Sequence, residues 1–161
     1  MRTSTIISTT INTAALAIIF LMTSLTLAAA EPPYDETADA KADIRAALVE
    51  AERVKVPVLV VFGANWCGDC KVLDMAFKAG MTAPLIAKNF KVVKVNVGRF
   101  DRNVDIAEGY GLPLKKGIPA VVVLSDKGSI VYSTQAGELA DARSMGDKGI
   151  YDFFTKIAAT R

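Results

Sequence analysis

Two cysteines, separated by two residues, are the part of this 161-residue sequence best suited to covalent chemistry. They are the only cysteines in the chain and lie in the segment Trp66-Cys67-Gly68-Asp69-Cys70. A disulfide between residues this close in sequence closes a very short loop, so it adds little stability through chain entropy. The pair is therefore predicted to be redox-active, with one thiolate attacking a disulfide and the other completing the exchange.

The segments that flank the cysteines place them between a strand and a helix. Residues 56–62 are apolar and mostly β-branched, which is typical of a strand buried on both faces. Residues 71–79 favour a helix that ends at Gly80. Unpaired amides and the positive dipole end at its start, with Lys71 nearby, favour a thiolate at Cys67. Cys67 is therefore predicted to be the exposed nucleophile, and Cys70 the more buried resolving cysteine.

The first 30 residues are predicted to be a signal peptide that is cleaved after export. Arg2 is the only charged residue before Glu31, and residues 14–22 form an unbroken apolar run. Residues 28–30 are alanines, which provide a cleavage site of small residues. The alternative is a retained membrane anchor over residues 11–30, although several polar residues dilute that stretch. Export of this kind predicts a periplasmic location.

The rest of the chain is predicted to hold one domain. Residues 31–38 are polar, include two consecutive prolines, and are predicted to be a linker. Residues 39–161 are long enough for a single globular domain with its own core. No internal repeat and no low-complexity segment divides them.

The composition excludes several classes of function. The chain has no histidine, which rules out mechanisms built on Ser–His–Asp or Cys–His groups. It has no glycine-rich phosphate loop and no flavin or nicotinamide fingerprint, so we expect no cofactor beyond a redox-active disulfide of Cys67 and Cys70. Its net charge of +2 gives no indication of nucleic-acid binding.

Hydrophobic periodicity and turn residues predict the remaining elements. A helix begins at Thr37 or Asp39, and Ser144 is predicted to cap the last helix. Between them we predict a helix at 82–88, a strand at 90–97, a helix at 101–108, a loop at 109–117, and hairpin strands at 120–125 and 129–134. A strand–helix–strand unit requires a parallel crossover, whereas a hairpin is antiparallel. The prediction is an α/β fold with a mixed four-stranded sheet and helices on both faces.

Three features occur together in this order: the dithiol after a strand, Gly117-Ile118-Pro119 before an apolar strand, and a hairpin followed by a closing amphipathic helix. With them, residues 39–159 resemble the thioredoxin superfamily, in particular exported thioredoxin-like proteins grouped with bacterial disulfide reductases and isomerases. The resemblance implies a thioredoxin-like fold and a cis peptide bond at Pro119. It also implies that the backbone of Ile118 pairs with a substrate strand beside Cys67.

Two departures from the family pattern lie close to the predicted site. Cytosolic thioredoxins have a buried aspartate six residues before the first cysteine, a position that is Val61 here. Asp69, Lys94 or water could then assist the resolving step instead. The second departure is a longer loop at residues 112–116, which is either a determinant of substrate choice or a solvated insertion.

The residues beside the cysteines indicate the direction of electron flow. Trp66 is expected at the edge of the site, where it shields the thiols, and Gly68 leaves the front of the helix open to a partner chain. The charge of Asp69 disfavours a nearby thiolate and so favours the oxidised pair. In the family that the chain resembles, a histidine between the cysteines is associated with oxidants and isomerases, and Ile118 before the proline is similar to reducing members. With the charge of Asp69, the resemblance therefore favours a reductase or reducing isomerase over an oxidant.

The leading prediction is a protein-disulfide oxidoreductase that reduces or isomerises disulfides in exported proteins. It would receive electrons from a membrane thiol reductase and act as a monomer. A disulfide-donating oxidant is the same chemistry in the opposite direction. A carrier that holds Cu(I) between the two thiolates is the third alternative, although no histidine is available as a further ligand and we predict no metal site.

Overall fold

The computed structural model describes residues 31–160, so the predicted signal peptide lies outside the described residues. Within residues 31–160, no helix is long and apolar enough to span a bilayer. The helices are α1 (Ala40–Val54), α2 (Gly68–Lys78), α3 (Thr82–Asn89), α4 (Val104–Gly109) and α5 (Ala142–Ala159). The strands are β1 (Val58–Gly63), β2 (Lys91–Asn96), β3 (Ala120–Leu124) and β4 (Ile130–Ser133). A 3₁₀ turn, Leu114–Lys116, lies in the loop between α4 and β3.

The four strands form one mixed sheet in the order β2-β1-β3-β4. β1 is parallel to β2 and antiparallel to β3, and β3 is antiparallel to β4. The central strands β1 and β3 are buried along their whole length, as their continuous apolar sequences predict. The predicted mixed four-stranded sheet and thioredoxin-like fold are confirmed.

Helices cover both faces of the sheet, and the alternation of side chains along β1 divides the core between them. Val58, Val60 and Phe62 pack with α1 and α4 on one face. Leu59 and Val61 pack with α2, α3 and α5 on the other face. Both cysteines belong to the core on the α1 side, so the start of α2 reaches across the end of β1.

β1 begins at Val58, two residues later than the sequence predicts. Lys55, which caps the end of α1, has the left-handed conformation, with φ of 56°. The amide of Val56 then donates to the carbonyl of Ala51 at 3.2 Å, and Pro57 has no N–H to give to the sheet. Residues 56 and 57 therefore complete the end of the helix instead of extending the strand.

α5 does not begin at a Ser144 cap, which corrects the prediction. The helix begins at Ala142, and Gly146 interrupts it with φ of 63° and ψ of 174°. The hydroxyl of Ser144 donates to the carboxylate of Asp141 at 2.8 Å, inside this first turn. The glycine thus separates a short first turn, which carries Arg143, from the rest of the helix.

The segment predicted to be a linker contacts the domain before α1 begins. Tyr34 within it is only 1% exposed and belongs to the same core as the cysteines. Asp39, one of the two predicted caps, accepts a hydrogen bond from the amide of Ala42 at 3.0 Å. Thr37, the other, bonds to Asp35 instead.

Candidate active site

Cys67 and Cys70 are joined as a disulfide where β1 gives way to α2. Cys67 caps the helix and Cys70 lies in its first turn, which places their Cα atoms 5.2 Å apart. The amide of Cys70 donates to the Cys67 sulfur at 3.1 Å. After reduction, this hydrogen bond and the positive end of α2 would stabilise a thiolate at Cys67.

Cys67 is less exposed than the sequence predicts. It is 5% exposed and Cys70 is fully buried. The loop before β3 covers it, and the Cys67 sulfur lies 3.5 Å from the carbonyl oxygen of Ile118. Cys67 is nevertheless the more accessible of the two, so a substrate would reach its sulfur first.

The covering loop ends in a cis peptide bond between Ile118 and Pro119, as the resemblance implies. Proline has neither an amide hydrogen nor a metal-binding side chain, so Pro119 adds no hydrogen-bond donor and no metal ligand beside the two sulfurs. The backbone of Ile118 therefore lies beside Cys67 as a short edge with which an extended peptide can pair.

Trp66 lies at the rim of the site with half of its surface exposed. Its indole N–H donates to the carbonyl of Gly98 at 2.7 Å, and its ring meets Phe100 edge-on with 6.1 Å between centroids. Phe100 is also exposed and has φ of 65°, which is uncommon for a bulky side chain. Two aromatic rings therefore form one side of the approach to the disulfide.

An apolar pocket of about 410 Å³ lies beside these rings. Phe100 lines one part of it, and Gly117, which directly precedes Ile118, lines another. Leu112 and Leu114 of the longer loop also line it, and both are buried. The loop at 112–116 is therefore a wall of a pocket next to the site rather than a solvated insertion.

Asp69, which lies between the two cysteines in the sequence, is not an isolated negative charge. Its carboxylate accepts hydrogen bonds from the backbone amide of Arg143 at 3.0 Å and from the Arg143 Nε at 3.1 Å. Burial is the largest influence on the pKa of Asp69 and raises it, but the hydrogen bonds and charge of Arg143 outweigh burial and hold that pKa below its usual value. The carboxylate is thus charged and paired.

Arg143 also corrects the prediction for Gly68. A Cβ on Gly68 would lie 3.4 to 3.5 Å from the guanidinium group of Arg143. The front of α2 is therefore partly covered by a cation instead of being open. No sequence signal pointed to Arg143, because it lies 74 residues after Asp69 and outside any motif.

The two lysines proposed to tune the thiols have different surroundings. Lys71 is exposed on α2. Lys94 forms an ion pair with Asp74, which also pairs with Lys78 at 2.8 Å. Burial, the largest influence, raises the pKa of Asp74, but hydrogen bonds from Lys78 and Lys94 outweigh it and hold that pKa below its usual value. Val61 is the register partner of Lys94 on β1, so the acid beside this lysine comes from α2 instead of the strand.

Tyr34 lies among the site residues although no motif pointed to it. The side chain of Asn65 holds its backbone from both sides: the amide of Tyr34 donates to Asn65 Oδ1 at 3.0 Å, and Asn65 Nδ2 donates to the Tyr34 carbonyl at 2.8 Å. A single aromatic residue in a polar stretch gives no periodicity, so its burial could not be predicted.

A metal centre finds little support in the described part of the chain. Among residues 31–160, no group of three or more His, Cys, Asp or Glu side chains is placed to hold a metal ion. The two sulfurs of Cys67 and Cys70 are bonded to each other. Two soft ligands alone would make an incomplete site for Cu(I).

The fold and this disulfide agree with the family to which the sequence can be matched. Residues 39–125, more than half of the chain, match the model of a family described as thioredoxin-like. The chain belongs to the thioredoxin-like family. Among solved structures, this thioredoxin-like chain is similar to a disulfide isomerase from Xylella fastidiosa Temecula1, with 52% identity and a TM-score of 0.77. That match covers 80% of this chain and 98% of the other.

Curated relatives carry the name thioredoxin. A thioredoxin of Haemophilus influenzae is 32% identical over 98 residues, which cover 61% of this chain and 79% of that protein. Thioredoxin 1 of Synechococcus elongatus is 37% identical over 71 residues, which cover 44% of this chain and 59% of that protein. The match thus spans less than two thirds of the latter. Together with the Cys67–Cys70 pair, these likenesses support a protein-disulfide oxidoreductase.

Proposed function

We propose that this thioredoxin-like protein reduces or isomerises disulfides in exported proteins, and that it does so in the periplasm. The observation that carries the proposal is the Cys67–Cys70 disulfide, whose more accessible sulfur lies 3.5 Å from the Ile118 carbonyl beside the cis proline. The likeness to the Xylella fastidiosa disulfide isomerase supports the same kind of substrate.

The reaction starts from the reduced protein. The Cys67 thiolate attacks one sulfur of a substrate disulfide, that S–S bond breaks, and the other substrate sulfur leaves as a thiolate that takes a proton from water. Cys70 then loses its proton and attacks the Cys67 sulfur. This breaks the mixed disulfide and releases the second substrate thiol. Two electrons pass to the substrate, and the protein keeps the Cys67–Cys70 disulfide.

The surroundings of Cys67 are suited to an extended polypeptide. A substrate segment that pairs with the backbone of Ile118 would present its cystine to the Cys67 sulfur. Trp66 and Phe100 would lie along one side of it, and the apolar pocket beside Phe100 offers space for a neighbouring side chain. These features support an unfolded or flexible protein substrate.

The direction of electron flow depends less on Asp69 than its position in the sequence suggests, because Arg143 balances its charge. The names of the relatives and the absence of histidine support the reducing direction. Each cycle then consumes two electrons. Since the sequence has no flavin or nicotinamide fingerprint, we assign their supply to a membrane thiol reductase. We also propose that the protein is a monomer. Its periplasmic location is proposed because residues 1–30 have the features of a signal peptide.

The proposal is tested by trapping the intermediate. In the Cys70→Ala variant, the mixed disulfide with Cys67 cannot be resolved, so exported proteins should accumulate as covalent adducts after acid quench and thiol alkylation. The Cys67→Ala variant is the matched control and should give none. If no adduct depends on Cys67, the assignment of the nucleophile and the proposed function are wrong.

A second measurement separates the reductase or isomerase from the oxidant. We expect the wild-type dithiol to be mostly reduced in the cell and its reduction potential to lie closer to that of thioredoxin, about −270 mV, than to the about −120 mV of a strong oxidant. A mostly oxidised pair with a potential near the second value would favour the disulfide-donating alternative.

A further inference from the structure

A phenol hydroxyl lies near the resolving cysteine, across the space that a side chain on Gly63 would occupy. Gly63, the last residue of β1, has no side chain, and the ring of Tyr34 and the sulfur of Cys70 occupy the adjacent space. A Cβ built on Gly63 would lie 2.9 Å from the Cys70 sulfur and closer still to the Tyr34 hydroxyl. Because both atoms lie within 2.9 Å of this one Cβ position, the distance between the Tyr34 hydroxyl oxygen and the Cys70 sulfur is less than about 6 Å.

This arrangement is enclosed and held in place. Tyr34 is 1% exposed and Cys70 is fully buried, so both groups are shielded from bulk water. Asn65, two residues before Cys67, holds the Tyr34 backbone with two hydrogen bonds of 2.8 and 3.0 Å. The Tyr34 hydroxyl, from the segment before α1, is thereby held near the end of β1 and the first turn of α2.

The hydroxyl keeps its proton at every pH at which thiols titrate. Burial, the largest influence, raises the pKa of Tyr34 well above its usual value, and the charge of Asp74 raises it further. A buried, neutral phenol hydroxyl is stabilised when it donates a hydrogen bond to a nearby acceptor. While the disulfide is closed, the Cys70 sulfur is a weak acceptor; once it opens, a thiolate there is a strong one.

We propose that Tyr34 is a hydrogen-bond donor to Cys70 that stabilises its thiolate in the resolving step. The inference deepens the proposed function and rests on it. Cys70 gives its proton to water, the Tyr34 O–H donates to the resulting thiolate without losing its own proton, and the thiolate attacks the Cys67 sulfur. The bond from Cys67 to the substrate breaks, and the substrate sulfur leaves as a thiolate.

Charged groups near Tyr34 and Cys70 come from the segment before α1 and from three further elements, and in that segment Glu36 accepts a hydrogen bond from Asn65 Nδ2 at 3.1 Å. α2 contributes Asp69 and Asp74, β2 contributes Lys94, and α5 contributes Arg143. Both carboxylates are paired with these cations, whereas β1 and the buried face of α1 are apolar there. A hydrogen bond from Tyr34 is therefore a separate influence on Cys70, and removing only the hydroxyl leaves the ion pairs in place.

Ellman's reagent, an aromatic disulfide, separates the two steps in the full chain. Attack by Cys67 on the reagent releases one coloured thiolate, and attack by Cys70 releases the second. In Tyr34→Phe we expect the second phase to slow about tenfold at pH 7, as for the loss of one hydrogen bond to a charged group. The pH midpoint of that phase should rise, while the first phase stays within about twofold of the wild type.

Tyr132→Phe is the matched control, since it removes a phenol hydroxyl on β4, away from the cysteines, and should leave both phases and the midpoint as in the wild type. The proposal is overturned if Tyr34→Phe leaves the second phase and its pH midpoint unchanged. It is also overturned if both phases slow equally without a change of midpoint, because that result indicates only a structural role.

A second variant covers the case in which Tyr34→Phe does not fold. Asn65→Ala removes the two hydrogen bonds that hold the Tyr34 backbone, so it should slow the second phase by a smaller factor and raise its midpoint. An unchanged second phase in that variant would contradict the proposal. If the wild type itself releases no first thiolate, the proposed function fails, and this outcome is distinct from a failure of Tyr34 alone.

Discussion

Two aspartates on the same helix, Asp69 and Asp74, have similar burial but different partners. Asp69 is 7% exposed and Asp74 8% exposed, and each has a pKa held below its usual value by cations that outweigh the effect of burial. Asp69 pairs with Arg143 of α5, whose side chain is 64% exposed. Asp74 pairs with Lys94 of β2, whose side chain is 24% exposed, and with the exposed Lys78.

The difference separates a charge that adjusts chemistry from a charge that supports the fold. Asp69 lies between the two cysteines in the sequence, and its cation is mostly in water, so solvent screens much of the interaction. Asp74 lies further along α2, and its ion pair with Lys94, whose side chain is largely buried, joins that helix to β2. Loss of the second pair should therefore cost more stability, and loss of the first should change redox behaviour more.

The largest expected effect is on stability, from Asp74→Asn. The variant leaves Lys94 largely buried without a counter-ion, and we expect the free energy of unfolding to fall by about 2 kcal/mol. Urea denaturation followed by circular dichroism measures it. Asp152→Asn, which breaks the exposed pair with Lys148, is the control and should change stability by less than about 0.5 kcal/mol. Equal losses in the two variants would mean that the pair of Asp74 and Lys94 supports the fold no more than an exposed pair does.

Asp74 should also account for part of the loss of stability at acid pH. Because the pKa of Asp74 is lower in the folded chain than its usual 3.8, its contribution is fully present above that value and is lost as the pH falls through the folded pKa. Stability should therefore decline below about pH 4, and less steeply in Asp74→Asn. Urea midpoints between pH 7 and pH 2.5 measure the slope. A variant slope that equals the wild-type slope would show that Asp74 is not a source of the decline.

Opposite changes at the Asp69–Arg143 pair should move the reduction potential in opposite directions. Arg143→Gln leaves the carboxylate unbalanced, which disfavours the thiolate and makes the potential more negative. Asp69→Asn leaves the cation and makes it less negative. Each shift should be at most about 20 mV, equivalent to roughly 1 kcal/mol, because the arginine of the pair is largely exposed to solvent. Equilibration with glutathione measures the potentials, and shifts of the same sign would refute the electrostatic explanation.

The smallest effect is expected from Lys78→Met. Lys78 is an exposed partner of Asp74 at i and i+4 on the same helix, an arrangement that contributes about 0.3–0.5 kcal/mol. Lys94→Met should cost clearly more, since it removes the more buried partner. Comparison of the two by urea denaturation shows which lysine balances Asp74, and a larger loss from Lys78→Met would reverse the assignment.

Sequence patterns predicted the fold because they report on local structure. The β-branched run before the cysteines, the hairpin at residues 126–128 and the order of elements were sufficient for the mixed sheet and the thioredoxin-like fold. The starts of β1 and α5 differ from the predicted ones because capping or tertiary contacts determine them. β1 starts late because Val56 bonds back to α1, and the start of α5 is set by Asp141 and Gly146 instead of Ser144.

The sequence by itself determined that two thiols lie at the start of a helix after a buried strand, since spacing and periodicity specify which residues share a turn or a face. Only the tertiary structure decided which polar side chains surround them. Arg143 pairs with Asp69, Lys94 pairs with Asp74, and the hydroxyl of Tyr34 lies near Cys70, each from a distant part of the chain. Periodicity shows which face of an element is buried, but the partner of a polar group depends on how separate elements pack.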